Sequence, residues 1–199
     1  TERARGHPNT AFAVASMGEP LSFSDTMVTS TPDLNPIKAF VFCGQGPQHE
    51  HMGVHMYTRF AAFRNSVNAS FEMVAKFHKK NFQDEYGLFN PELNGKVAKT
   101  DKGDWKVECI VIAITIFQIA LFDLWVDLGV QPDVVLGHSV GEIAAMYASG
   151  ALTHEKAIRT AIARSNALSL LDTIDGQMAA LGMSLSLIHI SEPTRQEAI

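Results

Sequence analysis

Residues Gly137-His138-Ser139-Val140-Gly141 form a G-x-S-x-G pentapeptide, with Val134-Val135-Leu136 before it and a helix-prone stretch from Glu142 after it. The chemistry this pattern supports is nucleophilic attack by serine. A sharp strand-to-helix turn holds the serine in a strained conformation, and glycine on both sides removes the Cβ atoms that would clash there. The Ser139 hydroxyl then stands at the start of the next helix, whose unpaired N–H groups and dipole favour an oxyanion. Stripped of reactivity, the same five residues make a serviceable turn.

Three other positions bear on the same chemistry. Gly44-Gln45-Gly46 follows the strand-like run Ala39–Cys43 and lacks the Gly-Lys-Ser/Thr ending of a phosphate loop. It reads either as the source of a second backbone donor for an oxyanion, since such holes draw on two segments, or as a packing turn. On a helix over 154–171, Ile158, Ala161, Ile162 and Leu168 define the apolar face, and Arg164 falls about 70° from its centre at 100° per residue. A guanidinium on that flank takes a carboxylate partner, makes a structural salt bridge or snorkels to water. Gln118, inside an apolar helix, needs hydrogen-bond partners once buried, and backbone is the ordinary one. His49, His51 and His55 lack a companion Cys or acidic set at metal-ligand spacing, so no metal is expected. Asp133 and Glu142 flank the pentapeptide, and Glu142 reads as a complement to the helix N-terminus rather than a base.

The elements that must carry these residues follow from local pattern. Residues 1–36 are rich in Ser, Thr and Pro and read as a linker with one short strand at Ala11–Ala15. Apolar spacing predicts a strand at Ala39–Cys43, a helix over 55–80 and a polar, exposed connection over 81–104. A long helix over 107–128 stops at Gly129, a strand covers Asp133–Leu136, and helices cover 142–149 and about 154–171, the last capped by Thr153. Strand, tight turn and helix in succession indicate an α/β protein with its reactive turn at a strand's C-terminal end. Residues 184–199 fit no element and read as a non-native tail.

Composition narrows the class. The 199 residues carry 16 Lys and Arg against 21 Asp and Glu, a net charge of −5 that argues against nucleic-acid binding. Hydrophobic content of 46% excludes a largely disordered chain. Two cysteines, Cys43 and Cys109, make no disulfide framework, so a reducing, cytoplasmic setting is expected. The run Ile110–Phe122 is shorter than the roughly 20 residues that span a bilayer, so a core helix is expected and no membrane association.

Taken together and in order, these motifs resemble the acyltransferase (malonyl-CoA:acyl-carrier-protein transacylase) domain of polyketide and fatty-acid synthases. The resemblance runs from Lys38 to Met183 through Phe40–Gln48, Gln118, Trp125–Gly129, Pro132–Glu142 and Arg164-Ser165. It implies the N-terminal part of that domain over 37–183: part of an α/β large subdomain, a short parallel sheet flanked by helices, with the ferredoxin-like small subdomain absent. It also implies Ser139 as the acyl-accepting nucleophile, the N–H groups of Gln45 and Val140 as the oxyanion hole, and Arg164 as the ligand of a malonyl carboxylate. Gln118 and His138 would line the pocket. A CoA thioester would be the substrate and the phosphopantetheine thiol of an acyl carrier protein the acceptor, with no bound cofactor. The other domains of a synthase, a ketosynthase upstream among them, would be partners.

One departure bears on activity. The family's general-base histidine lies beyond the small subdomain, and neither His154 nor His189 matches it, so the 199-residue chain alone is expected to be inactive. Two rivals share the pentapeptide: a serine esterase or thioesterase, and a non-catalytic scaffold fragment of a synthase.

Overall fold

A computed structural model describes residues 9–12, 27–30, 37–49, 51–78, 87–89 and 105–170. In chain order the elements are β1 (Asn9–Phe12), β2 (Met27–Ser30), β3 (Ala39–Phe42), α1 (Val54–Arg59), α2 (Ala61–His78), α3 (Val107–Asp127), β4 (Val134–Gly137), α4 (Gly141–Ala148) and α5 (His154–Ser169). Residues 184–199, expected from sequence to be a non-native tail, lie outside the described residues.

Parallel pairing of β3 with β4 organises the site. Its register sets Ala39 against Val134 and Phe42 against Gly137, so both strands run out at one end and release their two Gly-rich turns side by side. The opposite end is clamped: the Asp133 carboxylate accepts from the Lys38 backbone N–H at 2.8 Å and from Lys38 Nζ at 2.9 Å. That backbone donation, ahead of the ammonium, holds the Asp133 carboxyl below its usual range. Asp133 thus ties the two strands together just before β4, at the end away from the turn. Phe40, Phe42 and Val135 turn toward the helices, while Val41, Val134 and Leu136 face out, Val41 being 70% exposed.

Helix α3 is the axis of the helical layer. Twelve of its 21 residues are buried, because α2, α4 and α5 all pack on it. A helix apolar on every side is stable only when surrounded. It is longer than the apolar run that announces it, and long and apolar enough to cross a membrane, yet two thirds of its most apolar stretch is buried inside this fold, where it is the core helix. Its end is a Schellman arrangement: Gly129 at φ 78° donates to Val126 O, and Val130 donates to Trp125 O at 2.8 Å. Thr153 caps α5 by accepting from Lys156 N, as its sequence position predicts.

Three expectations need correction. The helix over 55–80 is two helices, broken at Phe60, whose backbone is extended. The Arg64 guanidinium reaches back to the Tyr57 and Thr58 carbonyls and satisfies the end of α1, which sequence spacing does not disclose. Within the segment read as an exposed connection, Leu88 and Phe89 are buried, with Phe89 at φ 60° and its ring edge-on to Phe63 and stacked with Phe117. Gly53 is required beside it, because a Cβ there would lie 2.7 Å from the Phe89 ring. Finally, the N-terminal strand begins at Asn9 and pairs antiparallel with β2, a short β-prone run hidden among Ser and Thr.

Four helices are tied by polar contacts in the half-buried layer. Asp123 on α3 accepts from Ser66 of α2 at 2.6 Å and from Tyr147 of α4 at 2.8 Å. His154 at the start of α5 shares a 2.7 Å hydrogen bond with Ser70 and lies against the Tyr147 ring. Burial pushes the His154 imidazole below its ordinary range, and the Asp123 carboxylate offsets only part of that. The unfolded chain, with a histidine pKa of about 6.5, therefore binds more protons than the fold as pH drops through that value. Urea unfolding should show stability falling as the medium is acidified below about pH 6.5, with a smaller slope in His154→Gln.

Candidate functional site

The elbow between β4 and α4 departs from ordinary backbone at one residue. Ser139 has φ 52°, in the left-handed region, and is one of two non-glycine residues with positive φ among the described ones. Strain of that kind costs about 1–3 kcal/mol and persists where the surroundings over-determine it. Here they do. A Cβ on Gly137 would overlap the backbone of Glu142, and one on Gly141 would overlap the carbonyl of Phe42. The two glycines of the pentapeptide are thus needed for two different contacts: one folds the turn back on itself, the other lets α4 start directly beneath the end of β3. The His138 N–H donates to Phe42 O at 2.9 Å and continues the sheet pairing to the edge of the turn.

The second Gly-rich turn meets the first. A Cβ on Gly44 would lie 2.9 Å from His138 Nδ1 and 3.1 Å from Ser139 Cβ, so the loop following β3 abuts the serine. Beyond it Gln45 is exposed, and Gly46 takes φ 135° while its N–H donates to Gln48 Oε1. Val140, buried, is the N-cap residue immediately before α4. Arg164 arrives from α5 at the flank where helical spacing puts it: half-buried, it donates from Nη2 to Ser139 Oγ at 3.2 Å. Ser139, the 44–46 loop and Arg164 are therefore gathered from three distant parts of the sequence.

Gln118 joins them from below. Its Nε2 donates to Cys43 O at 2.8 Å and lies 3.2 Å from Cys43 Sγ, so backbone is its main partner. Its Oε1 is buried without a partner among the described residues. Gln118 also borders a cleft of about 290 Å³ with Phe40, Cys43, Phe117, Phe122 and Trp125. His138 is exposed, its side chain against Gly44. A wider hollow of about 420 Å³ lies on the outer side of α5, around Leu152, Lys156 and Arg159, and shares no residue with the elbow.

Several residues are not part of this assembly. His154 is engaged with Ser70, and Glu142, exposed in the first turn of α4, suits the helix N-terminus. Among the described residues no group of His, Cys, Asp and Glu is arranged to hold a metal, and His49, His51 and His55 are exposed. Cys43 is exposed; Cys109 is buried inside α3, and burial first, then Glu108, pushes its thiol up to about 12. The contact that spacing could not supply is Gln118 to Cys43, a bond across 75 residues of sequence.

A strained serine at a strand-to-helix turn, backed by a second Gly-rich turn in a parallel α/β frame, has the geometry of a nucleophile elbow. The family model described as "Acyl transferase domain" matches residues 39–195, and the chain belongs to that family. It is 36% identical over 156 residues to the highly reducing polyketide synthase stpks1 of Strobilurus tenacellus, covering 78% of this chain and 5% of the synthase. The acyltransferase domain from the second module of the salinomycin polyketide synthase superposes with a TM-score of 0.64 at 25% identity, covering 82% of this chain and 39% of that domain. The malonyl-CoA:ACP transacylase of Synechocystis sp. PCC 6803 shares the fold, with a TM-score of 0.54 at 24% identity over 68% of this chain and 41% of its own. The chain therefore spans less than half of the solved domains and a small part of the synthase.

The close approach of Gly141 to β3 sets a stability test. Gly141→Ala must push the Phe42 carbonyl aside and should cost about 2–3 kcal/mol in urea unfolding. Ala144→Gly, on the same helix, should cost about 1 kcal/mol for helix propensity plus the loss of one buried methyl. A Gly141→Ala chain as stable as the parent would contradict the close packing of elbow on strand.

Proposed function

We propose that this chain is the nucleophile-bearing part of a transferase that moves a malonyl-type acyl group from a CoA thioester to the phosphopantetheine thiol of an acyl carrier protein. Ser139 Oγ attacks the thioester carbonyl, the CoA thiol leaves, and the acyl-serine is then attacked by the carrier thiol, which regenerates the serine. The N–H groups of Gln45 and Val140 receive the oxyanion, each worth about 2.7–4 kcal/mol of barrier. Arg164 takes the free carboxylate of the acyl group, and His138 lines the entrance.

The observation that carries this reading is the 3.2 Å hydrogen bond between Arg164 Nη2 and Ser139 Oγ. A hydrolase acting on neutral esters has no use for a half-buried guanidinium on its nucleophile, whereas an acyl group ending in a carboxylate does. Carrier protein and neighbouring synthase domains, a ketosynthase among them, are the partners this chemistry requires, in the cytoplasm.

General-base help is the missing component among the described residues, because Arg164 is the side chain bonded to Ser139 Oγ and His154 is engaged elsewhere. We therefore expect the 199-residue chain alone to give no sustained transfer from malonyl-CoA to carrier protein. Robust transfer by the purified chain would contradict this. With imidazole supplied as the base, a serine-directed phosphonate should add once, at Ser139, by intact mass and peptide mapping, and Ser139→Ala should stay unmodified. An inert Ser139 under those conditions would instead favour a scaffold role. With the same imidazole, acylation by malonyl-CoA should fall about 10- to 100-fold in Arg164→Ala, the loss of one charge-assisted pair, while acylation by acetyl-CoA changes little. Equal losses for both donors would remove Arg164 from substrate recognition.

A further inference from the structure

Gln118 is a costly residue where it stands. It is 6% exposed, in the middle of a helix whose neighbours Ile114, Ile116 and Ile119 are buried hydrocarbon. An amide there is tolerated only if its polar atoms find partners. Its one strong contact is Nε2 to the carbonyl of Cys43 at 2.8 Å, on the residue that joins β3 to the 44–46 loop.

That carbonyl sits where the sheet pairing runs out. Phe42 O still accepts from His138 N, but the next residue leaves the sheet and the chain turns across the elbow, with Gly44 against His138 and Ser139. A peptide plane is rigid, so holding Cys43 O also fixes the N–H of Gly44 on the far side of the same plane and limits how Gln45 is presented one residue later. The remaining local tie, Gly46 N to Gln48 Oε1, is exposed and lies within the loop itself, so it cannot anchor the loop to the body. The Gln118 bond runs from the most deeply packed helix to the loop base, at the point where backbone pairing ends.

We propose that Gln118 is a positioning residue for the oxyanion donor loop: its Nε2–H···O=C bond to Cys43 orients the peptide from which the Gly44–Gln45 turn departs. This assigns it a part in the reaction through the loop, distinct from contact with substrate, and it rests on the acyl-transfer reading of Ser139. Gln118 Oε1, buried and without a partner among the described residues, fits that division, since the amide is oriented by the bond its nitrogen makes.

The test compares Gln118→Leu, which keeps the bulk and removes the donor, and Gln118→Glu, which puts an acceptor opposite Cys43 O, with the parent 199-residue chain. Amide exchange by mass spectrometry reads the loop independently of any reaction at Ser139: uptake over 43–49 should quicken in both variants while α3 and α5 keep their protection. Unchanged uptake in the loop would overturn the proposal, as would a general loss of protection in both variants, which would make Gln118 a core residue only. Phosphonate labelling of Ser139 in imidazole gives the second readout. Maximal labelling rate should fall about a hundredfold, the size expected when a donor is misplaced by about an ångström, with the half-saturating phosphonate concentration little changed. A rise in that concentration at an unchanged maximal rate would overturn the proposal and make Gln118 a contact residue. If the parent chain is not labelled at all, the acyl-transfer reading fails, and the exchange result still decides whether Gln118 holds the loop.

Discussion

Everything at this site depends on how closely α4 begins beneath the end of β3. The helix opens at Gly141, in contact with the carbonyls of Phe42 and Cys43, and no side chain fits between. That contact brings the end of one strand onto the start of the helix that follows the other. Parallel pairing of Phe42 with Gly137 sets the two turns level, and the crowded elbow then leaves Ser139 no relaxed backbone conformation. The positive φ of the serine and its proximity to Gly44 are two results of one packing decision.

The helical layer supplies what the two-stranded sheet cannot. Helix α3 lies under both strands' inward residues and lends Gln118 to the loop base, while α5 lends Arg164 to the serine. Away from the elbow, Asp123, Tyr147, Ser66, Ser70 and His154 join α2, α3, α4 and α5 by side-chain hydrogen bonds, so the helices that carry the functional groups are fixed to one another on the other side. The outward face of the sheet is different. Val41, Val134 and Leu136 are uncovered by the described helices, although parallel sheets are ordinarily covered on both faces.

Much of this was legible in the sequence because the signals are local. The elbow, the cap at Thr153 and the stop at Gly129 rest on residues within a few positions of one another, and the placement of Arg164 on the flank of α5 follows from helical periodicity alone. What escaped involves contacts across the chain. The break at Phe60 depends on Arg64 reaching carbonyls of the preceding helix, and Phe89, beside Leu88 in a stretch of otherwise polar composition, is buried against Phe63 and Phe117. Sequence could say that Gln118 needed a partner; only the fold says that the partner is the base of the 44–46 loop.

A crystal structure of the chain with a phosphonate covalently bound to Ser139 tests most directly whether the two turns converge on the serine. A phosphoryl oxygen is expected within about 2.7–3.1 Å of the backbone nitrogens of both Gln45 and Val140, with Arg164 on the side of the serine where an acyl carboxylate would lie. A phosphoryl group turned to solvent, with the amide of Gln45 pointing elsewhere, would contradict it.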